Sequence, residues 1–424
     1  SIFSRVIKTT TNQIVDHQMR HGWLINPLNN AKTDDVLACF MKGPRTFCGE
    51  DTAEIYCHGG PAVLSMALQI VIEQGARLAE RGEFSKRAFL NGKIDLAQAE
   101  AILDLIKAPV KESAGTAIEQ LRGGLSRTIN EIKGEMVKIS AKIEAGIDFP
   151  GEQEGEEGAG QEIEKLIIKV EALIKTADYG RIYREGLAVA IVGKPNVGKS
   201  SLLNSLVGSE RAIVSSLPGT TRDTIEEQIC LHGMPIRVVD TAGIRHPKDE
   251  AEGFGVERAK RELDAAEFAI VVLDGSNGIG EEDKRILELS AKGRGIVLIN
   301  KTDLGIKITC DIIKPFAENK PIFFASLLKG EGVEELKKGI YDETLKQIGR
   351  PAEGALAINA RHKECLARAQ ESLHEAKQEL EGEGPREEIS RHLKAAVMAA
   401  GEISGEEVSD EIINAIFDKF CIGK

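Results

Sequence analysis

Residues 193–200 read Gly193-Lys194-Pro195-Asn196-Val197-Gly198-Lys199-Ser200. They fit G-x-x-x-x-G-K-[ST], a spacing that wraps backbone N–H groups around phosphate oxygens. In that pattern Lys199 reaches the β and γ phosphates and Ser200 ligates Mg²⁺. Asn196, Val197, Gly198 and Ser201 complete the cradle. An apolar run from Leu187 to Val192 precedes it, as a buried parallel strand would, and Ser201 to Leu206 has helical spacing. The cradle is thus expected at a helix N-terminus, which favours anions. Asp240-Thr241-Ala242-Gly243 fits D-x-x-G at another strand end. There the aspartate reaches Mg²⁺ through water and the glycine N–H reads the γ-phosphate. Asn300-Lys301-Thr302-Asp303 fits N-K-x-D at a third. Asp303 would accept two hydrogen bonds from guanine's N1–H and exocyclic amine, a pair adenine cannot offer. Ser326-Leu327-Leu328 lies where a guanine-specificity loop belongs, although Leu327 departs from the alanine usual there. Four signals in this order point to a GTP site rather than to unrelated turns.

Between the first two signals runs Ser215-Ser216-Leu217-Pro218-Gly219-Thr220-Thr221-Arg222-Asp223. A threonine here closes on Mg²⁺ when the γ-phosphate is present, an order–disorder switch. Thr221 is the first candidate and Thr220 the second. Ras-like enzymes place a water-orienting glutamine just after D-x-x-G, but this chain has Ile244. Asn196 with the Gly219-Thr220 segment instead resembles the potassium-activated GTPases, in which K⁺ supplies the charge of an arginine finger. That resemblance implies side-chain oxygens from Asn196 and Thr220 and backbone carbonyls from Ser215 and Leu217. The plainer role for Asn196 is to stabilise its own turn.

Around this site the 424 residues carry a net charge of −12, with 42% hydrophobic and only 4% aromatic residues. Such a chain is acidic and helix-leaning and is not an indiscriminate nucleic-acid binder; an RNA contact needs a local basic patch. Seven scattered cysteines without a C-x-x-C pair imply neither a zinc site nor a disulfide framework and suit a reducing cytoplasm. No apolar run approaches the roughly 18 residues of a membrane span. Residues 1 to about 85 mix strands (Val36–Phe40, Ala53–Cys57) with a helix over Val63–Gly75, a small α+β domain. From Asp95 to Ile147 the apolar stripe is helical, then an acidic glycine-rich loop follows to Gly160, then a helix over Gln161–Ala177. Residues 186–344 alternate strands and helices, with strands at Leu187–Val192, Ile236–Val239, Phe268–Leu273, Ile296–Ile299 and Ile322–Ala325. Ala360 to Phe420 is helical again, so the α/β unit reads as an insertion into an all-α domain made of two chain segments.

Three further stretches carry a family resemblance: Gly82-Glu83-Phe84-Ser85-Lys86-Arg87-Ala88-Phe89-Leu90-Asn91-Gly92-Lys93-Ile94-Asp95-Leu96-Ala97-Gln98-Ala99-Glu100, Ile147-Asp148-Phe149-Pro150, and the terminal Phe420-Cys421-Ile422-Gly423-Lys424. With the GTPase motifs they resemble the MnmE (TrmE) family of tRNA-modification GTPases along essentially the whole chain. The resemblance implies an N-terminal tetrahydrofolate-binding and dimerisation domain over 1–88, a discontinuous helical domain over 89–183 and 345–424, and a P-loop (Ras-like) GTPase domain inserted at 184–344. It implies a cytoplasmic homodimer that forms a hetero-oligomer with the flavoprotein MnmG (GidA), FAD sitting only on that partner. Together they would modify C5 of the wobble uridine of certain tRNAs with an aminomethyl-type group (carboxymethylaminomethyl included), using Mg²⁺, K⁺ and a methylene- or formyl-tetrahydrofolate. By the same resemblance Glu54, Lys93 and Lys424 contact the folate, Cys421 lies near it and is proposed to take part in chemistry, and Glu252 orients the attacking water. Lysines suit a folate's anionic tail and a carboxylate suits pterin N–H groups; an inert thiol at a helix end is the plainer role for Cys421, as a solvated helix-start charge is for Glu252. The family opens with a strand and a glycine-rich segment ending in an arginine. This chain, starting at Ser1 in a helix-like stretch, is expected to begin after them. A rival reading of the same motifs is a regulatory switch that binds a ribosomal or membrane partner without RNA chemistry.

Overall fold

Helix α1 (Ile2–Val6) opens the computed structural model, which describes residues 2–9, 15–148, 158–208, 227–240, 254–348 and 356–423. By its contacts the chain forms two units, 1–103 with 404–424, and 104–403. In the first, strands β1 (Ile7–Thr9), β2 (Gln18–Asn26), β3 (Ala31–Met41) and β4 (Thr52–Tyr56) pair antiparallel in that order. The sheet and helix α2 (Pro61–Glu73) bury Phe3, Val6, Leu24, Val36, Ala38, Ala67 and Ile70 together. The sequence signals two of these strands and α2 but not β2, whose first four residues, Gln18 to His21, are polar or exposed; its buried positions fall only in its second half. Helices α3 (Glu83–Leu90) and α4 (Leu96–Lys107) follow.

The second unit begins with α5 (Lys111–Leu121), α6 (Gly124–Asp148), α7 (Ala159–Lys175) and α8 (Ala177–Glu185). The α/β part then runs β5 (Leu187–Val192), α9 (Lys199–Val207), β6 (Glu227–Leu231), β7 (Met234–Val238), α10 (Phe254–Asp264), β8 (Phe268–Asp274), α11 (Glu281–Ala291), β9 (Arg294–Asn300), α12 (Cys310–Ala317), β10 (Ile322–Phe324) and α13 (Val333–Ile348). The six strands order as β10-β9-β8-β5-β7-β6, parallel except for the β6–β7 hairpin. Alternation sorts each strand between two cores. Val189, Ile191, Ile270 and Leu298 pack with Leu202 and Leu206 of α9 and Leu336 of α13, while Ala190, Val192, Val271 and Val297 pack with Ile286 of α11 and Ile313 of α12. Each large aliphatic side chain so buried contributes about 1.5–3 kcal/mol. Strand β6 carries no expectation from the sequence; the turn residues His232 (φ 49°) and Gly233 (φ 81°), both left-handed, form the kind of two-residue hairpin that leads back from it.

After the α/β part, α14 (Ala360–Glu381) and α15 (Arg386–Ser404) return to the first helices. Lys377 pairs with Glu164 of α7 at 2.9 Å, Lys394 pairs with Glu144 of α6 at 2.6 Å, and Ser390 donates to the same carboxylate at 2.7 Å. Gly180 in α8 must be glycine, because a Cβ there would lie 2.6 Å from the Ile358 carbonyl. The protein therefore has an α+β N-terminal region, an all-α domain built from two chain segments, and an α/β P-loop domain inserted between them. The last helix, α16 (Asp410–Phe417), belongs to the first unit and packs Ile413, Ile416 and Phe417 with Leu96 and Ala99 of α4. Among the described residues no helix is long and apolar enough to cross a membrane.

Candidate functional site

Strand order reverses at β5, which has β8 on one side and β7 on the other. In an open α/β sheet a ligand binds at such a switch point, beyond the carboxyl ends of the strands. β5 ends at Val192 and α9 starts at Lys199, so Gly193 to Gly198 form the turn between them. A Cβ on Gly193 would lie 2.4 Å from the Val272 carbonyl, and one on Gly198 (φ 110°) only 2.2 Å from Asn300 Nδ2. Bare backbone is thus required on both sides. Asn196 stands exposed at the outer edge of the turn with φ 63°. Lys199 Nζ folds back on the Gly193 and Lys194 carbonyls at 2.6 and 2.9 Å, and burial pushes its ammonium below the ordinary lysine range. A desolvated Lys199 and the adjacent Ser200, both in the first turn of α9, are a donor set that fits a magnesium-bound triphosphate.

Asn300, the end of β9, joins the loops. Its Nδ2 donates to the Val197 carbonyl at 2.8 Å, and its Oδ1 accepts from Leu327 N–H at 3.1 Å. Lys301 (φ 63°) turns the chain and pairs with Asp274 of β8 at 2.6 Å. Burial alone would raise the Asp274 pKa, but hydrogen bonds from Lys301 and Ser276 outweigh it and hold it below the usual range. Asp303 accepts from Ser326 Oγ at 2.6 Å, and that bond keeps its carboxyl low. Leu327 is buried beside this loop, so its departure from alanine fills core rather than the ligand face.

Asp240 follows β7, whose pairing Val239 N–H extends by donating to the Val189 carbonyl at 2.9 Å. The P-loop, Asp240, Asn300, Lys301, Asp303, Ser326 and Leu327 therefore all stand at the carboxyl ends of neighbouring strands. Ser215, Ser216, Leu217, Pro218, Gly219, Thr220, Thr221, Thr241, Ala242, Gly243, Glu252 and Lys424 lie outside the described residues. Sequence reasoning missed Asp274, Asp283 (2.5 Å from Lys194), Arg258 and Glu262. Only the strand-end position of Asp274 and the i,i+4 spacing of Arg258 and Glu262 were available as signals.

In the first unit, Glu54 lies on β4 opposite Cys39 and accepts from the Tyr56 hydroxyl. The other two described candidates flank α3. Lys93 follows its C-terminus, and a Cβ on Gly49 (φ 82°) would come 3.3 Å from its Cε. At the opposite end of the helix, about 12 Å away, the Cys421 carbonyl accepts from Gly82 N–H at 3.3 Å and Ile422 bridges Arg81. Gly82 (φ 62°) leaves no room for a Cβ, which would meet the Phe417 carbonyl at 2.8 Å. The Gly82 block and the terminal Phe420-Cys421 are thus parts of one packed cluster.

Glu83 anchors that cluster. It takes hydrogen bonds from Arg77 at 2.6 Å, Arg87 at 2.6 Å and Glu80 N–H at 2.8 Å, which depress its pKa to about 2. Its folded pKa lies below its unfolded value, so its contribution is complete above about pH 4.5 and is lost as pH falls towards 2. Glu83→Gln is expected to cost about 1–2 kcal/mol at pH 7, screening by solvent included. The deficit should shrink in urea melts at pH 3; an equal deficit at both pH values would refute the assignment.

Two family profiles match the chain: one described as the MnmE helical domain over residues 96–421, the other as the GTP-binding protein TrmE N-terminus over residues 1–93. A curated relative from Alkaliphilus oremlandii, named tRNA modification GTPase MnmE, is 42% identical over 427 residues, covering 100% of this chain and 92% of its own length. A relative of the same name from Bacillus licheniformis is 40% identical, covering 97% of this chain and 91% of its own. Among solved structures, the G domain of the T. maritima FeoB iron transporter matches 37% of this chain and 98% of its own at 28% identity and a TM-score of 0.28. With profiles along nearly the whole sequence and relatives at this identity over their full overlap, the chain belongs to the MnmE (TrmE) family of tRNA-modification GTPases.

Proposed function

We propose that this chain hydrolyses GTP with Mg²⁺ and K⁺ bound and uses the cycle to drive modification of C5 of the wobble uridine in certain tRNAs. It acts in the cytoplasm as a homodimer with the flavoprotein MnmG (GidA), which carries the FAD. A methylene- or formyl-tetrahydrofolate supplies a one-carbon unit. The domains in this reading are 1–88, 89–183 with 345–424, and 184–344. The observation that carries it is the Asn300 side chain, which holds the phosphate loop and the guanine loop in one frame. The printed name of the relatives supports the tRNA assignment.

In this reading Asp303 accepts guanine's two N–H groups, held in place by Ser326. Lys199 leaves the loop carbonyls for the phosphates, an exchange favoured because its ammonium is already desolvated. Ser200 and Thr221 would hold Mg²⁺, with Asp240 reaching it through water; Asn196, Thr220 and the carbonyls of Ser215 and Leu217 would hold K⁺; the two ions would supply positive charge beside the phosphates. Glu252 orients the water. Glu54, Lys93 and Lys424 bind the folate, with Cys421 beside it.

Hydrolysis should run about tenfold or more faster in KCl than in NaCl, the scale of one well-placed electrostatic stabiliser, and Asn196→Ala should erase the difference. Equal rates in the two salts would remove the potassium reading.

A further inference from the structure

Helix α10 brings two charged side chains to the strand ends that the sequence motifs do not include. Arg258 Nη2 donates to Asp240 Oδ2 at 3.0 Å, and its Nε donates to Glu262 Oε1 at 2.8 Å. Glu262 is buried, at 9% exposure; burial pushes its carboxyl pKa up, and the Arg258 guanidinium works against that rise. It is also the acid that most favours the nearby Lys199 ammonium. Two basic and two acidic side chains thus meet beside the phosphate loop.

With a magnesium-bound nucleotide in the site, Lys199 would turn to the phosphates and Asp240 would be needed at the metal, through water. Arg258 then holds an oxygen that the metal site needs. We propose that Arg258 is a positioning residue that stands in for Mg²⁺ at Asp240 and is handed to Glu262 when the metal arrives. This rests on the GTPase reading above. Asp240 follows β7 and Arg258 lies on α10, so the exchange links metal binding to that helix. The roles of the two partners are opposed. Asp240 competes with Glu262 for one guanidinium, and strengthening either hold weakens the other.

The test is the Mg²⁺ dependence of nucleotide retention, read from the dissociation rate of fluorescent mant-GDP at stepped Mg²⁺ concentrations. Arg258→Gln frees Asp240, and the Mg²⁺ concentration for half-maximal retention should fall about two- to fivefold, the size of a partly exposed ion pair. Glu262→Gln leaves Arg258 to Asp240 alone, and that concentration should rise. Arg258→Lys, which keeps the charge but not the fork, should fall between wild type and Arg258→Gln. Thermal melting of each variant shows that it folds. Loss of packing alone would move Arg258→Gln and Glu262→Gln in the same direction, and that result, or an unchanged requirement in Arg258→Gln, overturns the latch. Wild-type protein that retains no mant-GDP at any Mg²⁺ concentration would instead sink the GTPase reading, and the latch with it.

Discussion

Asp303→Asn is expected to weaken GTP binding by about a thousandfold or more and to transfer preference to XTP. The carboxylate offers two acceptors, and Ser326 Oγ, donating to Oδ1 at 2.6 Å, fixes which way they face. Guanine meets them with N1–H and an exocyclic amine. An asparagine presents one N–H₂ group in place of an acceptor, so a donor faces a donor and the amine loses its partner. Xanthine carries an oxygen where guanine carries that amine, and the pairing is restored. Sites built to hydrogen-bond a substrate group reject the mismatched analogue by roughly 10⁴–10⁵, and an edge contact open to water keeps part of that. The low carboxyl pKa means that Asp303 stays ionised through the neutral range, so the loss should not depend on pH between 6 and 8, to take about the range of ordinary assays. Competition titration of labelled GTP against GTP and XTP measures both affinities. A variant that binds GTP within a few-fold of wild type would falsify the guanine role.

Asn300→Ala should be as damaging, through a different route. The side chain is 4% exposed and makes two bonds to main chain, one in each loop. Alanine leaves the Val197 carbonyl and the Leu327 N–H without these partners. Each unpaired buried group costs about 1–3 kcal/mol, so the pair costs roughly 2–6 kcal/mol, and an amide-sized void adds to it. Guanine-nucleotide affinity should fall at least a hundredfold, because the loops lose their common frame rather than a ligand contact. The melting temperature should fall by several degrees. Calorimetric melting with GDP titration checks both. Gly198→Ala approaches the same joint from the other side, since its Cβ would lie 2.2 Å from Asn300 Nδ2. A melting temperature and a GDP affinity both unchanged in Asn300→Ala would show that the loops are held by other means.

The two variants separate contact from framework. Asp303→Asn changes which base is accepted while the fold keeps its stability. Asn300→Ala changes stability and affinity together and leaves the ranking of bases alone. The Arg258 and Glu262 variants form a third class, in which nucleotide binding persists and only its metal requirement moves.

The sequence alone determined the elements whose chemistry is local. A glycine turn between an apolar run and a helix is specified by neighbours within a few residues, so the cradle from Gly193 to Ser200 and the N-K-x-D turn were legible in advance. The same holds for the doubly wound sheet, whose strands β5, β8 and β9 are continuous apolar runs because both faces are covered. Where only part of a strand is buried the pattern fades, as in β2, and β6, five residues long with Ile229 and Leu231 in the core, is too short to stand out. Residues such as Asn300 were recognisable as motif members, but not as joints, because the partners Val197 and Leu327 lie 103 and 27 residues away. Tertiary structure alone decided that Arg258 meets Asp240, that Lys301 meets Asp274, and that the terminal Phe420-Cys421 closes on Gly82. A charge on a helix surface reads as solvated until packing supplies its partner, and a glycine reads as a turn until packing shows what its missing Cβ makes room for.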